Sequence, residues 1–468
     1  MFIFRAKKKG ILVKMKIIKQ MALLVSLLIV LASCGSDDGT DPIDDTDDGM
    51  NTEFLGEIEF VRTYGGSNED DIVSFQATSD GGIIAAGYTK SIDGDIIDKT
   101  EDDSDFWVLR TDQQGGLMWS RTYGGSSDDR ARSISPTSDG GYVVSGYTRS
   151  DDGDVQSGNE GFNDFWVIKI NGSGDLLWEK SFGFAGSDQA FDIFETNDGG
   201  FFVTGILDVT ASGGEGNTGR NAGLHAGGDY WNLKLNASGE LIWSRYYGGT
   251  FTDTAHMAVE TGNGDFIIIG FSDSTDVDIS NNKGGYDFWV VRVANDGTLI
   301  WEKSYGGSEI DIPYAITKTN DGNYIIVGDT RSTDIDVSNP IGNADIWAIK
   351  IDDNGSMLWE QTYGGTQFES ARGIRAASEG NYVIAASTRS ADGDIDENKG
   401  QNDAWALVID SDGTLQFDKT VGGSDLDFAN DALITSDNKI YVIGNTESND
   451  LDVTENKGIK DFLLIKIQ

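Results

Sequence analysis

Tyr123-Gly124-Gly125-Ser126-Ser127-Asp128-Asp129 opens a stretch of 58 residues that closes at Leu176-Leu177-Trp178-Glu179-Lys180, and it decides the fold because it recurs along the chain. Turn chemistry and enrichment in β-branched and aromatic residues divide it into four short strands. Asp129–Pro136 is the first and Tyr142–Thr148 the second, with the tight turn Ser138-Asp139-Gly140-Gly141 between them. A longer loop leads to the third at Asp164-Phe165-Trp166-Val167-Ile168-Lys169, and a turn at Asn171-Gly172-Ser173-Gly174 leads to the fourth at Leu176. The second and third strands are apolar on both faces, as expected of a sheet covered by neighbours on either side.

The landmark of the repeat is an aromatic followed by a glycine pair, at Tyr64-Gly65-Gly66, Tyr123-Gly124-Gly125, Tyr247-Gly248-Gly249, Tyr305-Gly306-Gly307 and Tyr363-Gly364-Gly365. Phe182-Gly183-Phe184 and Val421-Gly422-Gly423 are degenerate copies, and the spacings run 59, 59, 65, 58, 58 and 58. A fixed period of this length is the signature of a repeat architecture. Seven units of four strands predict an all-β fold, a seven-bladed β-propeller over residues 53–468. The ends agree: the sequence stops after a third strand, Asp461-Phe462-Leu463-Leu464-Ile465-Lys466, and the repeat begins with a fourth, Ile58-Glu59-Phe60-Val61-Arg62. The N-terminal strand would thus complete the last blade and close the ring, leaving no open sheet edge, whereas the alternative of an open β-solenoid has no use for such complementary ends.

The segments aromatic-Gly-Gly-Ser-x-x-Asp, Asp-Gly-Gly-Tyr-Val-Val-x-Gly and Asp-Gly-x-Leu-x-Trp resemble the SBBP-type β-propeller repeat family over nearly everything after residue 55. That resemblance implies an extracytoplasmic propeller and assigns no activity. The first 33 residues fit the setting: they hold seven Lys or Arg, no acid, and an apolar run that ends at Leu31-Ala32-Ser33-Cys34. The run is too short to span a bilayer and reads as a cleaved secretion signal, with translation starting at Met1 or Met15. The motif resembles a bacterial lipobox, which implies a lipid-modified, palmitate-bearing Cys34 at the mature N-terminus. Residues 34–52, rich in Asp and without apolar periodicity, read as a solvated tether. Their Ser36-Asp37-Asp38 start resembles export signals of lipoproteins carried to the outer leaflet of the outer membrane. The expected location is therefore the cell surface, lipid-anchored.

Charge bounds the partners. The whole chain carries −43, and removing the seven basic residues of the signal takes it to −50, so nucleic acid is excluded as a partner. All eleven Trp occupy two repeat positions, Trp107, Trp166, Trp231, Trp289, Trp347 and Trp405 on the third strand and Trp119, Trp178, Trp243, Trp301 and Trp359 on the fourth. Such regularity predicts blade packing rather than a sugar platform. A basic residue two beyond the fourth-strand aromatic, as at Arg62, Arg121, Lys180, Arg245, Lys303 and Lys419, is expected to pair with an acid.

Two rings of acids follow the repeat. One stands four residues after the second glycine position, at Asp70, Asp129, Asp188, Asp253, Asp311, Glu369 and Asp427; the other opens each third strand, at Asp105, Asp164, Asp229, Asp287, Asp345, Asp403 and Asp461. Alternate strands run in opposite directions, so both rings are expected on one acidic face. The tether would join the opposite face, so that the acidic face looks away from the membrane. The loops before the third strands are long and acidic. Asp392, Asp394, Asp396 and Asp403, and likewise Asp276, Asp278 and Asp287, have a spacing that resembles a calcium loop, which gathers roughly six to eight oxygens. Glu397 departs from that motif where glycine is required. The favoured reading is that these carboxylates fix turns by accepting backbone N–H bonds, with calcium as the competitor. Blade three breaks the repeat in a Gly-rich loop over residues 210–228 that holds Arg220 and His225, a candidate binding loop.

With His225 and His256 as the only histidines and Cys34 lipidated, no His-dependent triad or multi-histidine zinc site is available. The expectation is a monomeric, non-enzymatic binding or scaffold module for a glycan, a surface protein or a divalent ion. A polysaccharide-degrading enzyme acting through two carboxylates is the alternative. A further resemblance, to quinone-dependent propellers, rests on the Asp-Gly-x-Leu-x-Trp hairpin alone.

Overall fold

The computed structural model describes residues 54–218 and 225–468. The expected signal and tether, with Cys34 and Arg220, lie outside the described residues.

Seven four-stranded antiparallel sheets form a ring, six with their strands in sequence order and the seventh with the N-terminal strand as its fourth. In blade two the strands are Asp129–Pro136, Tyr142–Thr148, Asp164–Ile170 and Leu176–Phe182, within two residues of the expected bounds. Blade seven joins the two ends: Ile58–Tyr64 pairs antiparallel with Asp461–Ile467, bringing Tyr64 opposite Phe462. One apolar cluster then spans blades seven and one, with Ile443, Phe462 and Leu464 against Ile72, Phe75 and Trp107. Closure is therefore made by packing as well as by the backbone ladder.

The repeated residues each have a place. Third-strand tryptophans are no more than 2% exposed. Four of their indole N–H groups donate to fourth-strand acids, Trp166 to Glu179 at 3.0 Å, Trp289 to Glu302 at 3.1 Å, Trp347 to Glu360 at 3.0 Å and Trp405 to Asp418 at 3.1 Å, whereas Trp107 donates to the Ser120 hydroxyl at 2.8 Å and Trp231 to the Gly216 carbonyl at 3.0 Å. Fourth-strand aromatics lie under the hairpin of the next blade, where a β-carbon on Gly174 would come within 3.1 Å of the Trp119 ring and one on Gly355 within 3.1 Å of Trp301. The landmark tyrosine spans the same joint: Tyr64, Tyr123, Tyr247, Tyr305 and Tyr363 donate to carbonyls of Gly115, Gly174, Gly297, Gly355 and Gly413, each at 2.5 Å. The basic stripe departs from expectation. Lys180 pairs with Glu240 at 2.9 Å, but Arg62 and Arg245 lie over the rings of Phe60 and Trp243.

Each innermost strand carries one residue too many for its partner. The register breaks between Ile72 and Ser74, Ala131 and Ser133, Ala190 and Asp192, Ala255 and Met257, Pro313 and Ala315, Ala371 and Gly373, and Ala429 and Asp431. A bulge of this kind re-aims one side chain. Here it does so once per blade, beside the ring axis.

Candidate functional site

The two acid rings meet at the blade junctions, inside the protein. At the closing junction Asp70 Oδ2 accepts from the Gly66 N–H at 2.7 Å and the Ser91 hydroxyl at 2.8 Å, while Asp461 Oδ2 accepts from the Lys457 N–H at 2.7 Å. Asp461 Oδ1 has no hydrogen-bond partner. A β-carbon on Gly65 would lie 2.6 Å from Asp70 Oδ2 and 2.8 Å from Asp461 Oδ1, so the first glycine of the pair is required because two carboxylates flank it. Gly124, Gly248, Gly306, Gly364 and Gly422 sit between carboxylates in the same way. First-ring acids are at most 1% exposed and third-strand ones at most 8%. The expected acidic face is therefore corrected: these rings are interior joints, and the exposed acids are those of the loops. Burial, reinforced by the facing carboxylate and opposed by N–H donors, pushes Asp461, Asp287 and Asp253 up to about 7 and Asp403 to about 6.

The loop acids fold over the glycine turns. Asp392 accepts from the Thr366 N–H at 2.8 Å and Asp394 from Gly364 at 3.0 Å; Asp276 accepts from Thr250 at 3.0 Å and Asp278 from Gly248 at 3.3 Å. Asp403 and Asp287 belong to the buried ring, and Asp396 is exposed. Among the described residues no three His, Cys, Asp or Glu side chains are grouped so that they could hold a metal ion. The donor set fits turn fixing better than an ion shell, since its oxygens already accept backbone N–H groups.

His225 is also accounted for by the repeat. Lys283, Lys399 and Lys457 stand four residues before their third-strand Asp, and their ammonium groups pair with Asp336, with Asp452 at 2.6 Å and with Asp95 at 2.7 Å. His225 holds that place in blade three, with Nδ1 on Asp229 and Nε2 3.9 Å from Asp278, and its side chain is 3% exposed. It is a junction residue rather than an exposed ligand contact, which the four-residue offset could have shown.

What sequence reading missed lies on the axis. A cavity of about 600 Å³ is lined by the first strands of all seven blades. The bulge position, three residues after each first-ring acid, is Val73, Arg132, Phe191, His256, Tyr314, Arg372 and Asn430, all lining the cavity. Five of these, from adjacent blades, make a continuous arc. The Arg132 guanidinium lies 5.9 Å from the Phe191 ring centre, Phe191 is 5.7 Å from His256, His256 stacks on Tyr314 at 5.0 Å and 9°, and Arg372 lies 3.8 Å over Tyr314. Arg132 Nε has no hydrogen-bond partner, and no acid stands at any bulge position. His256 Nδ1 is 2.6 Å from the Pro313 carbonyl. Burial among rings, with both arginines nearby, pushes its pKa down to about 4, so the imidazole is neutral at pH 7, donates through Nδ1 and leaves Nε2 as an acceptor. Just inside, Asp192 accepts from the Ser133 hydroxyl at 2.9 Å and the Ala258 N–H at 3.1 Å, tying three inner strands together.

Comparison with known proteins gives distant likenesses. No family model matches the chain. The regulatory protein FlaEY of Caulobacter vibrioides is 22% identical over 224 residues, 46% of this chain and 23% of that protein, so the match takes in under a quarter of the relative's length. Among solved structures, the WD40 domain of Neurospora crassa Pan2 aligns with a TM-score of 0.46 at 9% identity, over 88% of this chain and 97% of that one. The extracellular domain of a putative hybrid two-component system of Bacteroides thetaiotaomicron aligns with a TM-score of 0.45 at 10% identity, over 87% of this chain and 43% of that one. A puromycin hydrolase aligns with a TM-score of 0.46 at 11% identity, over 83% of this chain and 53% of that one. Among the described residues no helix is long and apolar enough to cross a membrane.

Proposed function

We propose that this chain is a non-enzymatic, surface-exposed lipoprotein, held to the outer membrane through Cys34, whose propeller is a binding module with its ligand site at the axial cavity. One observation carries this reading. The repeated side chains are committed to joints between blades, whereas the axial cavity gathers six residue types at one repeat position of the seven blades. A scaffold does not require such variety, and a concave site with a few convergent polar groups is where a ligand is expected. Glycoside hydrolysis would need a carboxylate pair within reach of substrate; the pairs at the junctions are buried, and the acids that line the cavity are engaged, Asp192 by Ser133 and Ala258, Glu195 by Ser138, Glu260 by the Asn197 N–H and Asp431 by Arg375.

The test has two parts. C34S should move the protein from the membrane to the soluble fraction, and protease treatment of intact cells should cleave the wild type. A polysaccharide panel should give saturable binding without release of reducing ends. Release of reducing ends that a single carboxylate substitution abolishes would replace this reading with the enzymatic one.

A further inference from the structure

We propose that the axial arc is a site for a carboxylate-bearing sugar ring, with Arg132 and Arg372 gripping the carboxylate and Phe191, His256 and Tyr314 facing the ring. The inference rests on the binding-module reading above and adds the chemical class of the ligand.

The arc is an electrostatic exception. The chain after its signal carries −50, yet two guanidiniums stand on the axis at a repeat position that holds no acid in any blade, with Asp329 acting on Arg372 from the second strand of the neighbouring blade. Arg375, which also lines the cavity, is by contrast neutralised: it pairs with Asp431 and hydrogen-bonds to Gln76 at 3.0 Å. Arg132 and Arg372 instead lie over aromatic rings. Stacking uses the face of a guanidinium and leaves its N–H edge for a planar anion, which a carboxylate meets in bidentate fashion. An anion entering there also escapes the repulsion it meets elsewhere on this surface.

The remaining groups select for a polyhydroxylated ring. His256 offers an acceptor at Nε2, and Tyr314, Asn430, Ser74 and Ser133 add hydroxyl and amide groups around the cavity. The volume suits one or two sugar units. A neutral sugar would leave the Arg132 guanidinium without a counter-charge, and a bare inorganic anion would leave the aromatic groups unused.

The experiment is calorimetric titration of the full chain in detergent with D-glucuronate, D-glucose and acetate, on wild type, R132Q, R372Q and R372K. Glucuronate should bind saturably, glucose and acetate at least about tenfold more weakly, and each Gln variant should lose roughly tenfold or more. R372K should not restore the bidentate contact, and unchanged melting temperatures show that the variants are folded. Absence of glucuronate binding, or equal binding by R132Q and R372Q, overturns the inference. Equal affinity for glucose and glucuronate overturns the ligand class while leaving the binding module standing. That module fails separately if no member of the polysaccharide panel binds.

Discussion

Replacing Asp461 by Asn at the closing junction should stabilise the protein at pH 8 and leave it unchanged at pH 4.5. Asp461 is fully buried, its Oδ1 has no partner, and Asp70 Oδ2 faces it across Gly65. With a pKa of about 7 against an ordinary 3.8, the folded protein holds a proton there that the unfolded chain releases. Stability from that proton is complete below pH 4 and is lost as the pH rises to 7 and above, because the native state binds more protons across that window. The full shift corresponds to about 4 kcal/mol at pH 8, an upper bound because the pair shares one proton. An Asn keeps an oxygen for the Lys457 N–H and presents an NH₂ to Asp70, so D461N should gain about 1 to 3 kcal/mol at pH 8. Urea denaturation of both proteins from pH 4.5 to 8, followed by tryptophan fluorescence, reads the difference directly. A loss of stability in D461N that is the same at every pH would refute the reasoning, since it would mean that the buried carboxylates are ionised throughout.

Millimolar calcium should not raise the melting temperature above its value in chelator; a saturable rise specific to calcium would make Asp392, Asp394 and their counterparts ion ligands instead of turn acceptors. H225K restores the residue that blades four, six and seven use, so stability at pH 7.5 should change by no more than about 1 kcal/mol; a loss above about 2 kcal/mol would show that the imidazole does something the repeat lysine does not. Deleting residues 54–64 uncovers the edge of Asp461–Ile467 and removes the Tyr64 bond to Gly115, so light scattering should report association or aggregation. A monodisperse monomer melting with the wild type would show that the seventh blade does not need its fourth strand.

Strand order, blade count and ring closure were legible because they follow from turn residues and from the complementary ends. The tryptophan positions were legible for the same reason, since a bulky aromatic at one place in every repeat has to pack. The acid rings misled because Asp reads as a surface residue, and the backbone N–H groups and hydroxyls of Thr89 and Ser91 that receive Asp70 come from other turns of the chain. Aligned repeats nevertheless hold the signal for the axis. Three residues after the ring acid the sequence changes from blade to blade, as Arg132, Phe191, His256 and Tyr314, and that variation looks like drift until a bulge aims each one at the same point. The bulge itself has no signature in a period of two.

The most direct test of the axial site is chemical labelling of arginines with phenylglyoxal, read by mass spectrometry on the full chain with and without saturating glucuronate. The account predicts that ligand protects Arg132 and Arg372 while the exposed Arg331 and Arg389 react at unchanged rates. Protection of Arg331 or Arg389 with Arg132 and Arg372 unaffected would place the ligand on the outer loops and contradict it.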